Sequence, residues 1–184
     1  MSNPSLSFSL DLILLVIIFF LLYLLSMVWP PDSPWAPWWQ MPQEVIDAMY
    51  KKLKIKKNDI VYDLGCGTGK AIIAAANGYG ATAVGIEIDP LRFLLAKINV
   101  LIARSQAKVI KKNFFQIDLG GASIIIMYLI PNALKRLAPK LSKELQKGTK
   151  IVSFVYPLPE KEYRKFVELV VYEKQYRLYV YKVI

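Results

Sequence analysis

An acidic residue followed by three alternating glycines is the part of this sequence best suited to holding a ligand. Asp63 stands two positions before Gly65, and Gly67 and Gly69 follow within Val61-Tyr-Asp-Leu-Gly-Cys-Gly-Thr-Gly-Lys. Glycine permits sharp turns and lets a ligand approach the backbone closely. The run lies between a predicted strand and a predicted helix, which is where open α/β sheets bind ligands. We therefore expect a binding loop at these glycines.

A second carboxylate, Glu87, ends the next predicted strand in the run Gly85-Ile-Glu-Ile-Asp-Pro. It follows Gly67 by about twenty residues, the separation at which an acidic residue accepts ribose hydroxyls in a βαβ unit. A glycine-rich turn followed by this acid is typical of a nucleoside site.

The glycine spacing separates three kinds of nucleotide site. Dinucleotide folds carry G-x-G-x-x-G with a pyrophosphate over the helix N-terminus. Here the third glycine comes one residue early, and Asp63 would face the phosphates. A P-loop is excluded by spacing, and Lys70 is followed by Ala71 rather than by Ser or Thr. S-adenosylmethionine has no phosphate, and its ammonium and sulfonium suit a carboxylate at Asp63, so the residues favour this cofactor over NAD.

The cysteine and histidine content excludes several chemistries. Cys66 is the only cysteine, which rules out an intrachain disulfide and a zinc site built from cysteines. The sequence has no histidine, so no mechanism can use one as base, relay or metal ligand. We expect no metal site.

The elements predicted around these residues alternate between strand and helix from residue 42 onward. Apolar periodicity and helix-end signals predict helices over 43–53, 70–77, 90–104 and 132–146, and strands over 59–64, 81–87, 108–111, 123–128 and 149–156. Two further strands, 166–172 and 175–183, are separated by a short turn and predict a hairpin. The pattern predicts a doubly wound, Rossmann-like α/β sheet, mostly parallel, with a C-terminal antiparallel hairpin.

The N-terminal segment is apolar on every side. No formal charge occurs from Leu12 to Trp29, and a helix of that length spans roughly 27 Å, close to a hydrocarbon core. The absence of preceding Lys or Arg and of a small-x-small cleavage site disfavours a signal peptide. We expect residues 1–29 to form a transmembrane anchor, the alternative being a buried core helix. A linker rich in Pro and Trp follows over 30–40, and the globular domain over 41–184.

The charge distribution predicts an orientation. The formal net charge is +10, and all 24 Lys and Arg follow the apolar segment. The positive-inside rule then predicts a single-pass membrane protein with its C-terminal domain facing the cytoplasm or an equivalent inner compartment. Early lysines, from Lys51 to Lys57, would lie near anionic lipid, which makes the bilayer itself a partner. A generic solvated face is the alternative, and no motif indicates specific nucleic-acid binding.

The motif D-x-G-x-G-x-G at 63–69, with G-I-E-I-D-P at 85–90, resembles the class I methyltransferases. From about Pro37 to Ile184 the chain resembles the archaeal protein-lysine methyltransferases. It also resembles their membrane-anchored mitochondrial relatives, which methylate a lysine in the ATP synthase c subunit or the adenine nucleotide translocase. This narrower resemblance rests on 59–67, on Lys112-Asn-Phe-Phe, and on 134–141 followed by 145–150.

The resemblance implies which residues hold S-adenosylmethionine. Asn113 stands where the superfamily often has an Asp that receives the adenine amino group, and Phe114 would flank the adenine. Thr68 replaces an Asp found in many relatives, and its hydroxyl can still bond the cofactor. The remaining matched positions are the acid, the three glycines and the ribose acid: Asp63, Gly65, Gly67, Gly69 and Glu87.

The resemblance also implies an activity. We expect methyl transfer to lysine side chains of proteins at or in the membrane. Tyr128 ends the predicted fourth strand, where the superfamily places residues beside the acceptor, so it is a candidate catalytic residue; the alternative is that it fills the core. Two other functions stay open. One is methylation of a small molecule, a lipid or RNA, and the other is a catalytically silent module that binds the cofactor at a membrane.

Overall fold

A seven-stranded sheet with helices on both faces forms the larger part of the protein. The computed structural model describes the backbone of residues 4–28 and 39–184, and the side chains of residues 10–25 and 39–184. The strands are β1 Ile60–Leu64, β2 Thr82–Glu87, β3 Lys108–Lys111, β4 Ile124–Met127, β5 Lys150–Phe154, β6 Val167–Glu173 and β7 Leu178–Val183. The helices are α1 Pro4–Val28, α2 Gln43–Leu53, α3 Lys70–Tyr79, α4 Pro90–Ile102, α5 Pro131–Glu144 and α6 Glu160–Tyr163, and a 3₁₀ turn covers Phe114–Gln116.

The strand order is β3-β2-β1-β4-β5-β7-β6. The first five strands in this order are parallel, and β7 runs antiparallel to both β5 and β6. From β1 the chain builds outward through β2 and β3 on one side, then returns to add β4 and β5 on the other. The carboxyl ends of β1 and β4 therefore flank the crevice where open α/β sheets bind ligands. The order confirms the predicted Rossmann-like sheet and its C-terminal hairpin.

The sheet is buried on both faces, and β4 shows why its sequence is apolar throughout. Ile124 and Ile126 pack with residues of α2 and α3 on one face. Ile125 and Met127 pack with residues of α5 and α6 on the other. A parallel strand covered by helices on both sides has no solvent-facing position, so the usual alternation of polar and apolar residues disappears.

The hairpin differs in detail from the sequence prediction. The strands β6 and β7 are separated by residues 174–177 rather than by a two-residue turn, and Arg177 adopts a left-handed backbone with a φ of 51°. Its carbonyl accepts a hydrogen bond from the backbone N–H of Val155, which ties the hairpin to the end of β5. Tertiary contact therefore sets the length of this turn.

The helix α1 covers most of the apolar N-terminal segment. The side chains described for it run from Leu10 to Leu25, and all are exposed. Over the residues so described, no helix is both long and apolar enough to cross a membrane. The transmembrane anchor of residues 1–29 therefore stays a prediction. The linker of residues 30–40 lies outside the described residues except for Trp39 and Gln40.

Candidate functional site

The glycine loop after β1 needs glycine because of its backbone angles. Gly65, Gly67 and Gly69 have φ values of 87°, 55° and 81°, in the left-handed region that other residues rarely adopt. The N–H groups of Gly65 and Cys66 both donate to the carbonyl of Ile86 on β2, at 2.9 and 3.0 Å. The loop is thus held against the neighbouring strand while it turns into α3.

The Glu87 carboxylate joins the end of β2 to this loop. Its Oε2 accepts a hydrogen bond from the backbone N–H of Gly67 at 2.9 Å. Its Oε1 accepts from the N–H groups of Ile88 and Asp89 at 2.9 and 3.0 Å. Burial raises the pKa of Glu87, and these hydrogen bonds to the charged form oppose that effect. The side chain is therefore fixed in one orientation at the edge of the cleft.

Asp63 is the buried carboxylate without such support. It lies near the end of β1, is 8% exposed, and accepts no hydrogen bond from the described residues. Burial, with a further contribution from the charge of Glu87, raises its pKa from 3.8 to about 7. A buried carboxylate without a donor is costly. Asp63 is therefore suited to a ligand that brings a positive charge or hydrogen-bond donors.

One cleft brings most of the predicted site residues together. It has an empty volume of about 810 Å³, including the part open to solvent. The predicted residues among its lining are Asp63, Gly65, Gly67, Thr68, Glu87, Phe114 and Tyr128. The carboxylates lie at the ends of β1 and β2, Tyr128 follows β4, and Phe114 follows β3, so the cleft forms where these strands end.

Two predicted residues are placed beside the cleft rather than in its lining. Gly69 begins α3, and a Cβ added there would lie 3.4 Å from the Cβ of Ala96 on α4, so its role here is close packing. The Oδ1 of Asn113 accepts a hydrogen bond from the N–H of Phe115 at 3.0 Å and caps the 3₁₀ turn. This cap holds Phe114 at the cleft, and the contact of Asn113 with adenine stays a prediction.

Comparison with known proteins decides the family. Residues 63–165 match the family described as the ANTKMT methyltransferase domain. The chain belongs to this methyltransferase family. Its cofactor is S-adenosylmethionine, as the sequence predicted, and the buried, donor-free Asp63 carboxylate fits the cationic methionine end of that molecule.

Three relatives illustrate the similarity. The methyltransferase is 38% identical over 135 residues to a protein-lysine N-methyltransferase of Saccharolobus islandicus (strain REY15A), which covers 72% of this chain and 82% of that one. It is 32% identical over 99 residues to the adenine nucleotide translocase lysine N-methyltransferase of Mus musculus, over 53% of this chain and 43% of the mouse protein. A crystal structure of an RNA methyltransferase from Salinibacter ruber, in complex with S-adenosyl-L-homocysteine, aligns with a TM-score of 0.68 and 30% identity, covering 79% of this chain and 92% of that one.

Sequence reasoning missed Arg92 as a residue of the methyltransferase cleft. It is buried on α4, lines the cleft, and its charge lowers the pKa of Glu87. Its backbone N–H donates to Asp89 Oδ1 at 2.8 Å, which caps α4. The sequence offered only the run Asp89-Pro-Leu-Arg, whose Asp-Pro pair predicts a helix start but not the burial of Arg92.

Three residues at the end of the linker and directly after it also line the cleft: Trp39, Gln40 and Met41. Only their position before α2 was visible in the sequence. Their contact with the cleft depends on how α2 packs against the sheet, which no local pattern encodes. The segment that connects α1 to the domain therefore enters at the mouth of the site.

Tyr128 also lines the cleft. Its ring meets Phe154 edge to face, with ring centroids 4.7 Å apart. Burial, with the neighbouring Tyr156, raises its pKa, while Arg177 opposes the shift. After Phe154 the chain turns sharply: Val155 has a φ of 69°, and the N–H of Tyr156 bonds the carbonyl of Phe154 at 2.9 Å. This three-residue γ-turn is rare and strained for a branched residue, and it fixes the wall against which Tyr128 packs.

Proposed function

We propose that this methyltransferase transfers methyl groups to lysine side chains of proteins at a membrane. The observation that carries the proposal is the 38% identity with a protein-lysine N-methyltransferase over 82% of that protein's length. A second relative, from mouse, is named for a lysine of the adenine nucleotide translocase. Both names describe a lysine side chain of a protein as the methyl acceptor.

The cleft suits an amine acceptor. Beyond the loop and the carboxylates, its lining is largely apolar and aromatic, with Trp39, Met41, Ile46, Tyr128 and Leu129. A lysine amine must be neutral to react, and at pH 7 its deprotonation in water costs about 4.6 kcal/mol. Removal from water favours the neutral form. Positioning beside the methyl donor then supplies much of the catalysis, and no histidine base is required.

The positions of the cleft residues give each of them a separate role in binding or orientation. When bound, S-adenosylmethionine supplies an electrophilic methyl group on a sulfonium. Asp63 would hold the ammonium of the methionine part, and Glu87 would hold the ribose hydroxyls. Phe114 would cover the adenine, which excludes water from that end. The Tyr128 ring and hydroxyl would orient the incoming amine at the other end of the cleft.

Membrane attachment is the second part of the proposal. The helix α1 has 25 residues, and its described side chains are exposed. The sequence from Leu12 to Trp29, which covers most of α1 and the residue after it, carries no formal charge. The chain from Val28 to Trp39 reaches at most roughly 40 Å when fully extended. Because Trp39 lines the cleft, an anchored α1 would hold the active site within that distance of the bilayer. The charge asymmetry supports a domain on the cytoplasmic side.

RNA is the competing acceptor. The aligned structure from Salinibacter ruber is that of an RNA methyltransferase, and the net charge of +10 suits a polyanion. The lysine proposal is preferred because identity to the archaeal lysine methyltransferase is higher over a comparable share of the chain.

A labelling experiment decides between these acceptors. The full chain is incubated with tritiated-methyl S-adenosylmethionine and a membrane fraction, and label is followed into protein, lipid and RNA. The lysine proposal expects acid-stable label in methylated lysine, absent with the Glu87→Ala variant. Label in extractable lipid or in ribonuclease-sensitive material overturns it. Bound cofactor with no label anywhere indicates a silent module.

Alkaline carbonate extraction tests the attachment separately. An α1 that crosses the bilayer keeps the protein in the membrane pellet at high pH, where peripheral proteins are released. Release into the supernatant refutes the anchor and leaves the lysine proposal standing.

A further inference from the structure

The helix α4 turns four of its large apolar side chains outward. Its fully buried residues are Arg92 and Ala96, whereas Leu94, Ile98, Leu101 and Ile102 are exposed, the last two by 77% and 75%. A surface helix ordinarily buries its apolar stripe against the core. These residues follow helical spacing and form one stripe along the outer face of α4. A contiguous exposed apolar patch of this kind marks an interaction surface.

The formal charges of α4 and of the residues that follow it have one sign. Between Pro90 and Ile117 the sequence contains no Asp or Glu. Five basic side chains in this stretch are exposed: Lys97, Arg104, Lys108, Lys111 and Lys112. Lys97 and Arg104 border the stripe itself and line a groove on its surface together with Leu94, Ile98 and Leu101. We call the stripe together with Lys97 and Arg104 the α4 face.

We propose that the α4 face docks on the surface of an anionic lipid bilayer. Apolar side chains flanked by Lys and Arg, on a helix lying parallel to the surface, are the pattern by which helices bind at the lipid headgroup level. The apolar stripe inserts at the boundary between headgroups and acyl chains while the cations meet the headgroups. This inference goes beyond the proposed acceptor, and it does not depend on α1 crossing the bilayer.

Two other occupants fit the face less well. A second copy of the chain would pack Lys97 and Arg104 against their equivalents, since a two-fold interface pairs each patch with itself. Single-stranded RNA is bound by bases stacking on aromatic rings, and the large exposed side chains of the stripe are all aliphatic. Anionic lipid satisfies the apolar and the basic parts together.

Docking would fix how the cleft faces the membrane. Arg92, in the first turn of α4, lines the cleft, so the helix begins at the site and runs away from it. With α4 parallel to the bilayer plane, the cleft opens along the membrane surface. An acceptor lysine in a segment emerging from the bilayer would then enter from the side.

The test places a probe on the face in the full chain. Leu101→Cys is labelled with an environment-sensitive fluorophore, and Val170→Cys, equally an exposed aliphatic site but on β6 at the other edge of the sheet, is the matched control. Wild type, whose sole cysteine is the buried Cys66, gives the labelling background. The chains are reconstituted in vesicles of phosphatidylcholine alone or with phosphatidylserine at three to one, each with a nitroxide-labelled lipid as quencher.

The proposal expects several-fold quenching at position 101 in the anionic vesicles only, and none at position 170. In Lys97→Gln/Arg104→Gln the ratio of docked to undocked molecules should fall about thirtyfold, because each cation near an anionic surface contributes about fivefold. Lys174→Gln/Lys182→Gln, on the C-terminal hairpin, removes the same net charge and should change nothing. Binding of S-adenosyl-L-homocysteine by each variant verifies that it is folded.

Three outcomes overturn the proposal. The first is equal quenching in neutral and anionic vesicles, and the second is equal loss in the two double variants. The third is polyuridylic acid binding that requires Lys97 and Arg104 while vesicles leave the probe unquenched, which would identify a nucleic-acid face. A chain that alkaline carbonate releases but that still docks on anionic vesicles refutes the α1 anchor and supports the α4 face.

Discussion

The Glu87 carboxylate and the backbone nitrogen of Gly67 lie 2.9 Å apart and are joined by a hydrogen bond. The bond links the end of β2 to the loop that follows β1, so the two halves of the proposed cofactor site are held together by the protein itself. Two further backbone donors, from Ile88 and Asp89, hold the other carboxylate oxygen. The site is therefore preorganised, which reduces the cost of ordering it when a ligand binds.

Glu87→Ala removes the acceptor for three backbone donors and, in the proposed site, for the ribose hydroxyls. We expect affinity for S-adenosyl-L-homocysteine to fall about a hundredfold, since each hydrogen bond to a charged group contributes about 1.5–3 kcal/mol. Titration calorimetry measures the dissociation constant directly. Glu168→Ala, an exposed carboxylate on β6, is the matched control and should bind like wild type. An unchanged constant in Glu87→Ala would show that this carboxylate does not contact the cofactor.

Asp63 predicts a pH dependence of cofactor binding. Its pKa is raised to about 7, and a cationic ligand requires the charged form. Affinity should therefore rise with pH and level off above about pH 7, falling about tenfold per pH unit below it. Asp63→Asn should bind the cofactor more weakly, and its affinity should no longer show the part of the pH dependence that comes from the Asp63 carboxyl. The ligand's own amine titrates identically for both chains, so the difference between them isolates Asp63. Parallel pH profiles would contradict the assignment.

The same residue predicts a pH dependence of stability with the opposite sign. Because the folded pKa of Asp63, about 7, lies above its ordinary value of 3.8, the folded state binds the proton more tightly. The unliganded protein should then lose stability as pH rises between these values, by about 4 kcal/mol. Asp63→Asn should lack that loss and be the more stable chain at about pH 8. Denaturant unfolding of both chains across this range measures it, and a wild type that gains stability relative to the variant would refute the buried-charge account.

Two glycines with opposite surroundings make a matched pair. A Cβ at Gly85 would meet Cys66 Sγ at 2.6 Å and Ile72 Cδ1 at 2.8 Å, whereas nothing lies within 4 Å of a Cβ at Gly78 in α3. Gly85→Ala should destabilise the protein by about 1–3 kcal/mol through overpacking. Gly78→Ala should stabilise it by about 0.5–1 kcal/mol, since alanine is the better helix former. Thermal unfolding of the two variants tests the pair, and shifts in the same direction would contradict it.

The sequence predicted the sheet well because its strands carry strong local signals. The strand β4, apolar throughout, could only be covered on both faces, and the glycines at 65, 67 and 69 could only form a turn with left-handed angles. Asp63 and Glu87 line one cleft because parallel strands end at one edge of the sheet, and their contacts with the cofactor stay a prediction. For these features, residue type and position in the strand were enough to make the prediction.

Residues that depend on tertiary packing could not be predicted in the same way. The contact of Trp39 with the cleft follows from the docking of α2, and the burial of Arg92 from the position of α4 against β2 and β3. The side chain of Asn113 could bond either a ligand or the backbone. Its amide oxygen caps the 3₁₀ turn, a common role for Asn that spacing alone does not reveal. The helix α6, only four residues long, gave no periodic signal.

Tyr128→Phe separates a role at the acceptor from a role in packing. The variant keeps the ring that meets Phe154 edge to face and removes only the hydroxyl. We expect kcat for a lysine-containing peptide to fall about three- to tenfold, the effect of one lost hydrogen bond, with affinity for S-adenosyl-L-homocysteine and thermal stability unchanged. Tyr163→Phe is the contrasting variant, because the Tyr163 hydroxyl donates to the carbonyl of Leu134 at 2.7 Å away from the cleft lining. That change should lower stability and leave kcat alone. If Tyr128→Phe instead lowers stability with kcat intact, the Tyr128 hydroxyl serves the core and the acceptor is oriented by other groups of the cleft.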